Sequence, residues 1–196
     1  TVDRQITKGE FEYEVIIIDD CSNDSSLQVI KDFKWDNASI KNIKVLSNKI
    51  NMGVSNSYLC GLKESEGDYI VPLDGDDLLT RYSLFFRFEA IKGQKENKWA
   101  TGQQLVIKDD GGFVVGKEFN RKLEPKNKRE FLSAYLSGNF HIPASSVIFK
   151  KELLDKIHWI EGIKSSQDFA LHIQLGLEGE IPFYFDNYVT IYRYHS

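Results

Sequence analysis

The acidic segment at residues 74–77 is the part of the chain whose residue types and spacing could do chemistry. It contains Asp74, Asp76 and Asp77, three carboxylates within four positions. Carboxylates this close repel one another in a folded protein unless a positive charge lies between them. Mg²⁺ or Mn²⁺ suits such oxygen ligands and commonly carries a substrate diphosphate as well. A strand followed by a solvated acidic turn is the alternative, because the pattern is short.

We expect the strands that precede the carboxylates to position them. The apolar run at residues 69–73 predicts a buried strand that ends at the acidic segment. A continuous β-branched run at residues 14–18 is typical of a parallel strand covered on both faces, and it ends at Asp19 and Asp20. Between them the spacing predicts helices over 25–34 and from 54 to 62, and a strand over 43–46.

This order of strand, helix, strand, helix, strand predicts a doubly wound, mostly parallel α/β sheet. Ligands of such sheets bind beyond the carboxyl ends of the strands, where both groups of carboxylates fall. After residue 80 the pattern becomes mixed. Its predicted elements are helices over 84–91, 130–136, 151–157 and 166–177, a hairpin of 103–107 with 113–115, and strands over 145–149, 183–185 and 189–194.

Composition narrows the function classes. The chain has 196 residues, enough for one domain with a sizeable core. A net charge of −4 argues against a nucleic-acid partner. Cys21 and Cys60 form neither a metal set nor a disulfide framework, which indicates reduced thiols in a cytoplasmic protein. No run approaches the length of a membrane span, so we expect at most peripheral attachment at the inner face of a membrane.

Five motifs occur in an order that resembles one large family, the inverting glycosyltransferase family 2, which has the GT-A fold. The motifs are EVIIIDDCSNDS (14–25), NMGVS (51–55), GDYIVPLDGDD (67–77), SQDFAL (166–171) and YRYH (192–195). The resemblance implies a single GT-A domain, with a nucleotide-binding half (1–80) and an acceptor-side half (81–196).

The resemblance also implies an activity. Members move a sugar from a nucleotide-diphosphate donor, here expected to be a UDP-sugar, to a hydroxyl of a glycan or lipid-linked acceptor. Mn²⁺ or Mg²⁺ is the expected cofactor. The resemblance also implies a role in cell-envelope polysaccharide synthesis. The alternative is a degenerate relative that binds the nucleotide sugar without catalysis.

The family's carboxylates fall on named positions of this chain. Asp19 or Asp20 is expected to accept a hydrogen bond from the uracil base, although either could instead cap the following helix. Asp74 is expected to bind the nucleotide. Asp76 and the adjacent Asp77 are expected to bind the metal.

Two further positions complete the expected site. Asp168 matches the family's general base, although an Asp at a helix start could simply complement the helix N-terminus. His195 resembles a C-terminal histidine that contacts the metal or the diphosphate in some relatives. His172, one turn after Asp168, could orient the base, but a half-buried helix histidine without a catalytic role is the favoured interpretation.

The chain departs from the family pattern at several places. The family's first strand, usually S-I-I-I-P-x-Y-N, has no counterpart, and residues 1–6 resemble the helix that follows it, so we expect an incomplete sequence. Cys21 replaces the usual Gly, Tyr58 stands where many relatives have Arg, and Gln167 replaces Glu. No residue essential to the expected mechanism is lost.

Overall fold

The structure, a computed structural model, describes residues 1–108, 113–114, 124–138, 141–157 and 166–194, and only the backbone of 113–114. The strands are β1 (Tyr13–Asp19), β2 (Ile40–Ser47), β3 (Tyr69–Ile70), β4 (Leu78–Leu79), β5 (Trp99–Lys108), β6 (Phe113–Val114), β7 (Val147–Lys150) and β8 (Phe183–Tyr194). The α-helices are α1 (Ser26–Asp32), α2 (Val54–Glu64), α3 (Ser83–Lys92), α4 (Lys128–Leu136), α5 (Lys151–Leu154) and α6 (Gln167–Leu177). Two short 3-10 helices cover Val2–Arg4 and Ala144–Ser146.

The strands form two sheets. β1 and β2 pair in parallel, as their β-branched sequences predict. The second sheet has the order β3-β7-β5-β8-β4, with β6 paired to β5. Within it β5 and β8 are parallel and the other pairs are antiparallel. The α/β class with a mixed sheet in the second half of the chain is therefore confirmed.

The main core lies between the second sheet and helices α4 and α6. Trp99 of β5 stacks on Phe149 of β7 at 5.6 Å between ring centroids, and both are almost fully buried. Phe131 of α4 and Leu175 of α6 cover them from the helical side. Burying large apolar side chains of this kind contributes about 1.5–3 kcal/mol each, so this core holds α6 firmly against the sheet.

Two strand predictions differ from the structure. The predicted strand over 69–73 is paired only at β3, whose partner is β7, and within the described residues β1 pairs with β2 alone. A cavity of about 1470 Å³ lies between β1 and β3, and it leaves the apolar residues 15–18 of β1 only half-buried. Residues 71–73 line this cavity instead of joining the sheet.

The two predicted C-terminal strands are one continuous strand, β8. Thr101 of β5 pairs with Tyr184 and Gln103 pairs with Tyr188, so the predicted gap at 186–188 is an irregularity within one ladder. Gly102 faces this irregularity, where a Cβ would lie 2.8 Å from Phe185 and Val189 side chains. The missing side chain of Gly102 makes room for the bulged part of β8.

The remaining predicted elements are found within a few residues of their expected bounds. The hairpin is confirmed by the antiparallel pairing of β5 with β6, while its turn at 109–112 lies outside the described residues. Both cysteines are free. Among the described residues, no helix has the length and apolar character that crossing a bilayer would require.

Candidate active site

The carboxyl ends of β1 and β3 and the start of α6 open on the same cavity. Its wall includes Asp20, Asp74, Asp77 and Asp168, together with Tyr58 of α2. Asp74 and Asp168 are distant in sequence, yet the charge of Asp168 helps to raise the pKa of Asp74. The fold thus brings together carboxylates from both halves of the chain.

Asp19 and Asp20 organise the loops that follow β1 and β2. Asp19 is buried and accepts hydrogen bonds from the backbone N–H of Ser22 (3.3 Å) and the hydroxyl of Ser47 (3.1 Å). The Ser22 side chain is the largest cause that lowers the pKa of Asp19, and the bonds from Ser47 and from the Ser22 backbone lower it further. Only Asp20 of the two lines the cavity.

Asp20 acts as an acceptor for the turn before α2. Its carboxylate accepts from the backbone N–H of Met52 at 2.9 Å and of Gly53 at 2.8 Å. Gly53 has φ of +80°, a conformation that favours glycine, so Asp20 and Gly53 together fix this turn. Burial alone would raise the pKa of Asp20, but these hydrogen bonds and that of Asn48 outweigh it and lower the pKa.

Cys21 occupies a backbone position suited to the glycine that the family usually has there. Its φ is +64°, in the left-handed region, which costs a non-glycine residue about 1–2 kcal/mol. The loop therefore keeps a glycine-like conformation with a strained cysteine.

Asp74 is held by a tyrosine. The Tyr58 hydroxyl donates a hydrogen bond of 2.6 Å to Asp74 Oδ1. Burial raises the pKa of Asp74, the Tyr58 hydrogen bond opposes this rise, and the charges of Asp76 and Asp168 add to it. The pKa of Tyr58 is raised well above its usual range by burial and by the charge of Asp74, so Tyr58 stays a donor.

Asp77 is the most unusual carboxylate of the site. It is buried, and within the described part of the chain its Oδ1 has no hydrogen-bond partner. Burial is the main reason that its pKa is raised, and the charges of Asp74 and Asp76 act in the same direction. A buried oxygen without a partner inside a cluster of like charges is a position that a cation would satisfy.

Asp76 and His195 are the other two expected metal ligands. Asp76 is exposed beside the buried Asp77, and His195 lies outside the described residues. Among the residues that the structure describes, no group of three or more His, Cys, Asp and Glu side chains is arranged to hold a metal ion. Any cation would therefore need ligands beyond these side chains, such as water and substrate phosphate.

Asp168 lies in the first turn of α6 and is the second residue of the helix. Ser166 is at the N-cap position, with φ of +58° and no side-chain capping bond. Asp168 is thus not the cap residue, and its carboxylate lines the cavity near Asp74 and Tyr58. A carboxylate there can reach a group bound in the cavity, and its charge also complements the helix N-terminus.

His172 belongs to the core beneath the site. It is 1% exposed, stacks on Trp99 at 5.0 Å and forms a 2.8 Å hydrogen bond between its Nδ1 and the Tyr135 hydroxyl. Burial lowers its pKa to about 3, so it is neutral at pH 7. It is more buried than the sequence predicted.

Sequence reasoning missed two residues that touch the carboxylates. Tyr58 was noted only as a departure from Arg, and Ser145, whose hydroxyl accepts a 3.1 Å hydrogen bond from the Asp74 backbone N–H, was taken as part of a strand. A buried serine before a strand carries no pattern that would have revealed this contact.

Comparison with known sequences identifies the class. The Glycosyl transferase family 2 profile matches residues 1–157, and the chain belongs to that family. It is 24% identical over 190 residues to glycosyltransferase GlyG of Streptococcus pneumoniae, covering 93% of this chain and 62% of the relative. It is 27% identical over 186 residues to the GalNAc(5)-diNAcBac-PP-undecaprenol beta-1,3-glucosyltransferase of Campylobacter jejuni, covering 93% of this chain and 55% of the relative. The chain thus spans less than two thirds of either relative.

Solved structures confirm the fold. The chain superposes on S. aureus TarS (residues 1–349, in complex with UDP-GlcNAc) with a TM-score of 0.70 and 19% sequence identity, over 100% of this chain and 53% of TarS. A second TarS structure gives a TM-score of 0.70 with 20% identity, over 98% of this chain and 33% of that one. The expected GT-A architecture is therefore correct.

Proposed function

We propose that the chain is a metal-dependent, inverting glycosyltransferase that moves a sugar from a UDP-sugar to a hydroxyl of a glycan or lipid-linked acceptor. The observation that carries this proposal is that Asp168 lines the same cavity as Asp74 and Asp77, although the chain separates it widely from both. Family membership supports the reaction type. The UDP-GlcNAc bound to TarS supports the donor class, and the undecaprenol-linked glycan named for the Campylobacter relative supports the acceptor class.

Mn²⁺ or Mg²⁺ fits the residues present. The buried Oδ1 of Asp77 lacks a partner among the described residues and would be satisfied by a cation, with Asp76 beside it and Asp74 close by. Mg²⁺ usually takes one or two carboxylates and completes its shell with water and substrate phosphates, so three protein ligands are not required. We assign His195 as a further ligand on the resemblance alone. When bound, the cation would neutralise charge on the diphosphate leaving group.

The nucleotide would bind at the ends of β1 and β3. Asp20, on the cavity wall, and the buried Asp19 next to it in sequence shape the loop that would receive the base. The lowered pKa of each keeps both ionised at neutral pH, as acceptors for a base N–H. Asp74 would bind the ribose of the nucleotide, and the hydrogen bond from Tyr58 would orient its carboxylate.

Asp168 is the proposed general base. Its carboxylate would take the proton from the acceptor hydroxyl while that oxygen attacks the anomeric carbon. The new carbon–oxygen bond forms on the side opposite the bond to the diphosphate, which breaks and releases UDP with inversion. The place of Asp168 in the first turn of α6, which is anchored in the core, holds the base still against the substrate.

A non-catalytic nucleotide-sugar binding module is the second candidate. The Tyr58–Asp74 hydrogen bond favours it, because a neutral tyrosine stands where relatives often place an Arg toward the phosphates. Such a module would bind the donor without turnover. Measuring binding and turnover on the same protein separates the two candidates.

Asp168→Asn tests the proposal. We expect UDP release from UDP-sugars in the presence of Mn²⁺ to fall by about 10²–10⁴-fold, because the variant cannot accept the proton. Donor affinity measured by calorimetry should stay within about twofold, since the side chain keeps its shape and loses only a charge that repels Asp74.

Glu178→Gln, at the opposite end of α6, is the matched control and should leave both values unchanged. An Asp168→Asn rate within a few-fold of wild type would disprove the assignment of the base. Tight donor binding by the wild type without any turnover would favour the binding module.

A further inference from the structure

Ser145 connects both ends of the acidic segment through one hydroxyl group. It lies in the short helix Ala144–Ser146 and is 1% exposed. Its Oγ accepts the 3.1 Å hydrogen bond from the Asp74 backbone N–H. The same side chain also acts on the Asp77 carboxylate and opposes the rise that burial causes in the pKa of Asp77. A hydroxyl can accept and donate at once, so Ser145 can serve two residues that are three positions apart.

Ser145 is itself held from behind by Arg87 of α3. Arg87 is fully buried, and its Nη2 donates to the Ser145 carbonyl at 2.6 Å and to Thr190 Oγ1 at 2.7 Å. Its Nη1 donates to the Val147 carbonyl and its Nε to Ser83 Oγ at 3.1 Å. Arg87 therefore ties α3, β7 and β8 to the backbone that carries Ser145.

A buried guanidinium is costly to desolvate. Burial lowers the pKa of Arg87 to about 9, which still leaves the group charged at neutral pH. All four hydrogen bonds named for it end on neutral oxygen atoms. Such a network rigidifies its members when every donor is satisfied.

We propose that Ser145 is a positioning residue that fixes Asp74 and Asp77 at the spacing the metal and the donor diphosphate require. Arg87 anchors Ser145 to the second sheet. This inference rests on the proposed function, because only that function requires the acidic segment to hold a metal ion and the donor diphosphate. It predicts that the Ser145 hydroxyl acts through Asp74 and Asp77 without touching the substrate.

Ser146 provides a matched control next in sequence. It is as deeply buried as Ser145, but its Oγ hydrogen-bonds Thr101 Oγ1 at 2.9 Å and the Pro143 carbonyl at 2.8 Å. Removing either hydroxyl breaks buried hydrogen bonds, each of which contributes about 0.5–1.5 kcal/mol of stability. The two alanine variants should thus lose similar stability, and only one should change the site.

The experiment compares Ser145→Ala and Ser146→Ala with wild type. Mn²⁺ affinity in the presence of UDP is measured by electron paramagnetic resonance of free Mn²⁺, UDP affinity by calorimetry, and folding by thermal denaturation. We expect Ser145→Ala to weaken Mn²⁺ binding by about 10–100-fold, the usual effect of losing a group that orients metal ligands. Ser146→Ala should stay within about twofold of wild type.

The outcomes distinguish this inference from the proposed function. A wild-type protein that binds neither UDP nor Mn²⁺ would overturn the proposed function and this inference with it. If wild type binds both, equal Mn²⁺ affinity in Ser145→Ala would overturn the positioning role alone. Weakening of the same size in both variants would also overturn it, because the effect would then be one of general stability.

Discussion

At the scale of single residues, the buried imidazole of His172 links the core to solution pH. Folded His172 has a pKa of about 3, because burial disfavours its charged form, whereas an unfolded histidine titrates near 6.5. As the pH falls below about 6.5, the unfolded chain binds a proton that the folded chain cannot bind. The stability that depends on neutral His172 is therefore complete above this pH and is lost below it.

We expect the free energy of unfolding of wild type to fall by about 2 kcal/mol from this group between pH 8 and pH 5. Urea denaturation at several pH values measures the change. His172→Phe should remove this part of the pH dependence. Tyr135→Phe, which removes the 2.8 Å hydrogen bond but keeps the imidazole, should lower stability and retain the slope. An unchanged slope in His172→Phe would contradict the neutral, buried state.

The sequence predicted which carboxylates to examine, but not what holds them. Asp19, Asp20, Asp74, Asp77 and Asp168 were all expected, and the cavity brings four of them to one wall. Their partners come from far along the chain: the Tyr58–Asp74 bond spans 16 residues and the Ser145–Asp74 bond spans 71. Contacts of that kind depend on tertiary packing, and no local pattern encodes them.

At the scale of elements, the contact between α4 and α6 sets the position of the proposed base. Gly176 of α6 lies against α4, where a Cβ would be 2.7 Å from Phe131 Cδ1 and 2.9 Å from Leu132 Cδ2. Phe131 is fully buried, so its ring has no room to retreat. The absent side chain of Gly176 allows the two helices to approach closely.

Gly176→Ala should therefore destabilise the protein. Overpacking costs about 1–3 kcal/mol, and the better helix propensity of Ala offsets about 1 kcal/mol of this. We therefore expect the free energy of unfolding to fall by about 1 kcal/mol. The midpoint of urea denaturation measures it. Gly93→Ala, at the end of α3, has open space around its Cβ and is the control, with no loss expected. A Gly176→Ala protein as stable as wild type would mean that α4 and α6 are not packed this closely.

Strand and helix identities were predicted well where the hydrophobic period was long. The runs of β1, β2, α2 and α3 have clear periods, and their bounds match the structure within a few residues. The short strand β4 was not predicted, and the wrong predictions were those at β3 and β8. Apolar residues 71–73 line a cavity although they look like a strand, and the two strands predicted over 183–185 and 189–194 are one strand with a bulge. Pairing partners decide both cases, and periodicity does not report them.

At the scale of the whole molecule, the two sheets and α6 surround one cavity of about 1470 Å³. The carboxylates lie where β1, β3 and α6 meet it, so the first half of the chain supplies the groups proposed for the nucleotide and the second half supplies the proposed base. The doubly wound interpretation predicted this edge, since ligands bind beyond the carboxyl ends of strands. It did not predict that β1 and β3 would belong to different sheets. An apolar run indicates that a strand is buried, but it does not determine which strands pair with it.

The most direct test of the account is a calorimetric titration of the wild-type protein with UDP, GDP and dTDP, each with and without Mn²⁺. Asp76→Ala removes an exposed carboxylate of the acidic segment, and Asp155→Ala, an exposed position away from the cavity wall, is the control. We predict that UDP binds only with Mn²⁺, that Asp155→Ala binds as wild type does, and that Asp76→Ala loses binding. Folded wild-type protein that binds no nucleotide, or binds one equally well without metal and in Asp76→Ala, would contradict the proposal of a metal-dependent nucleotide-sugar site.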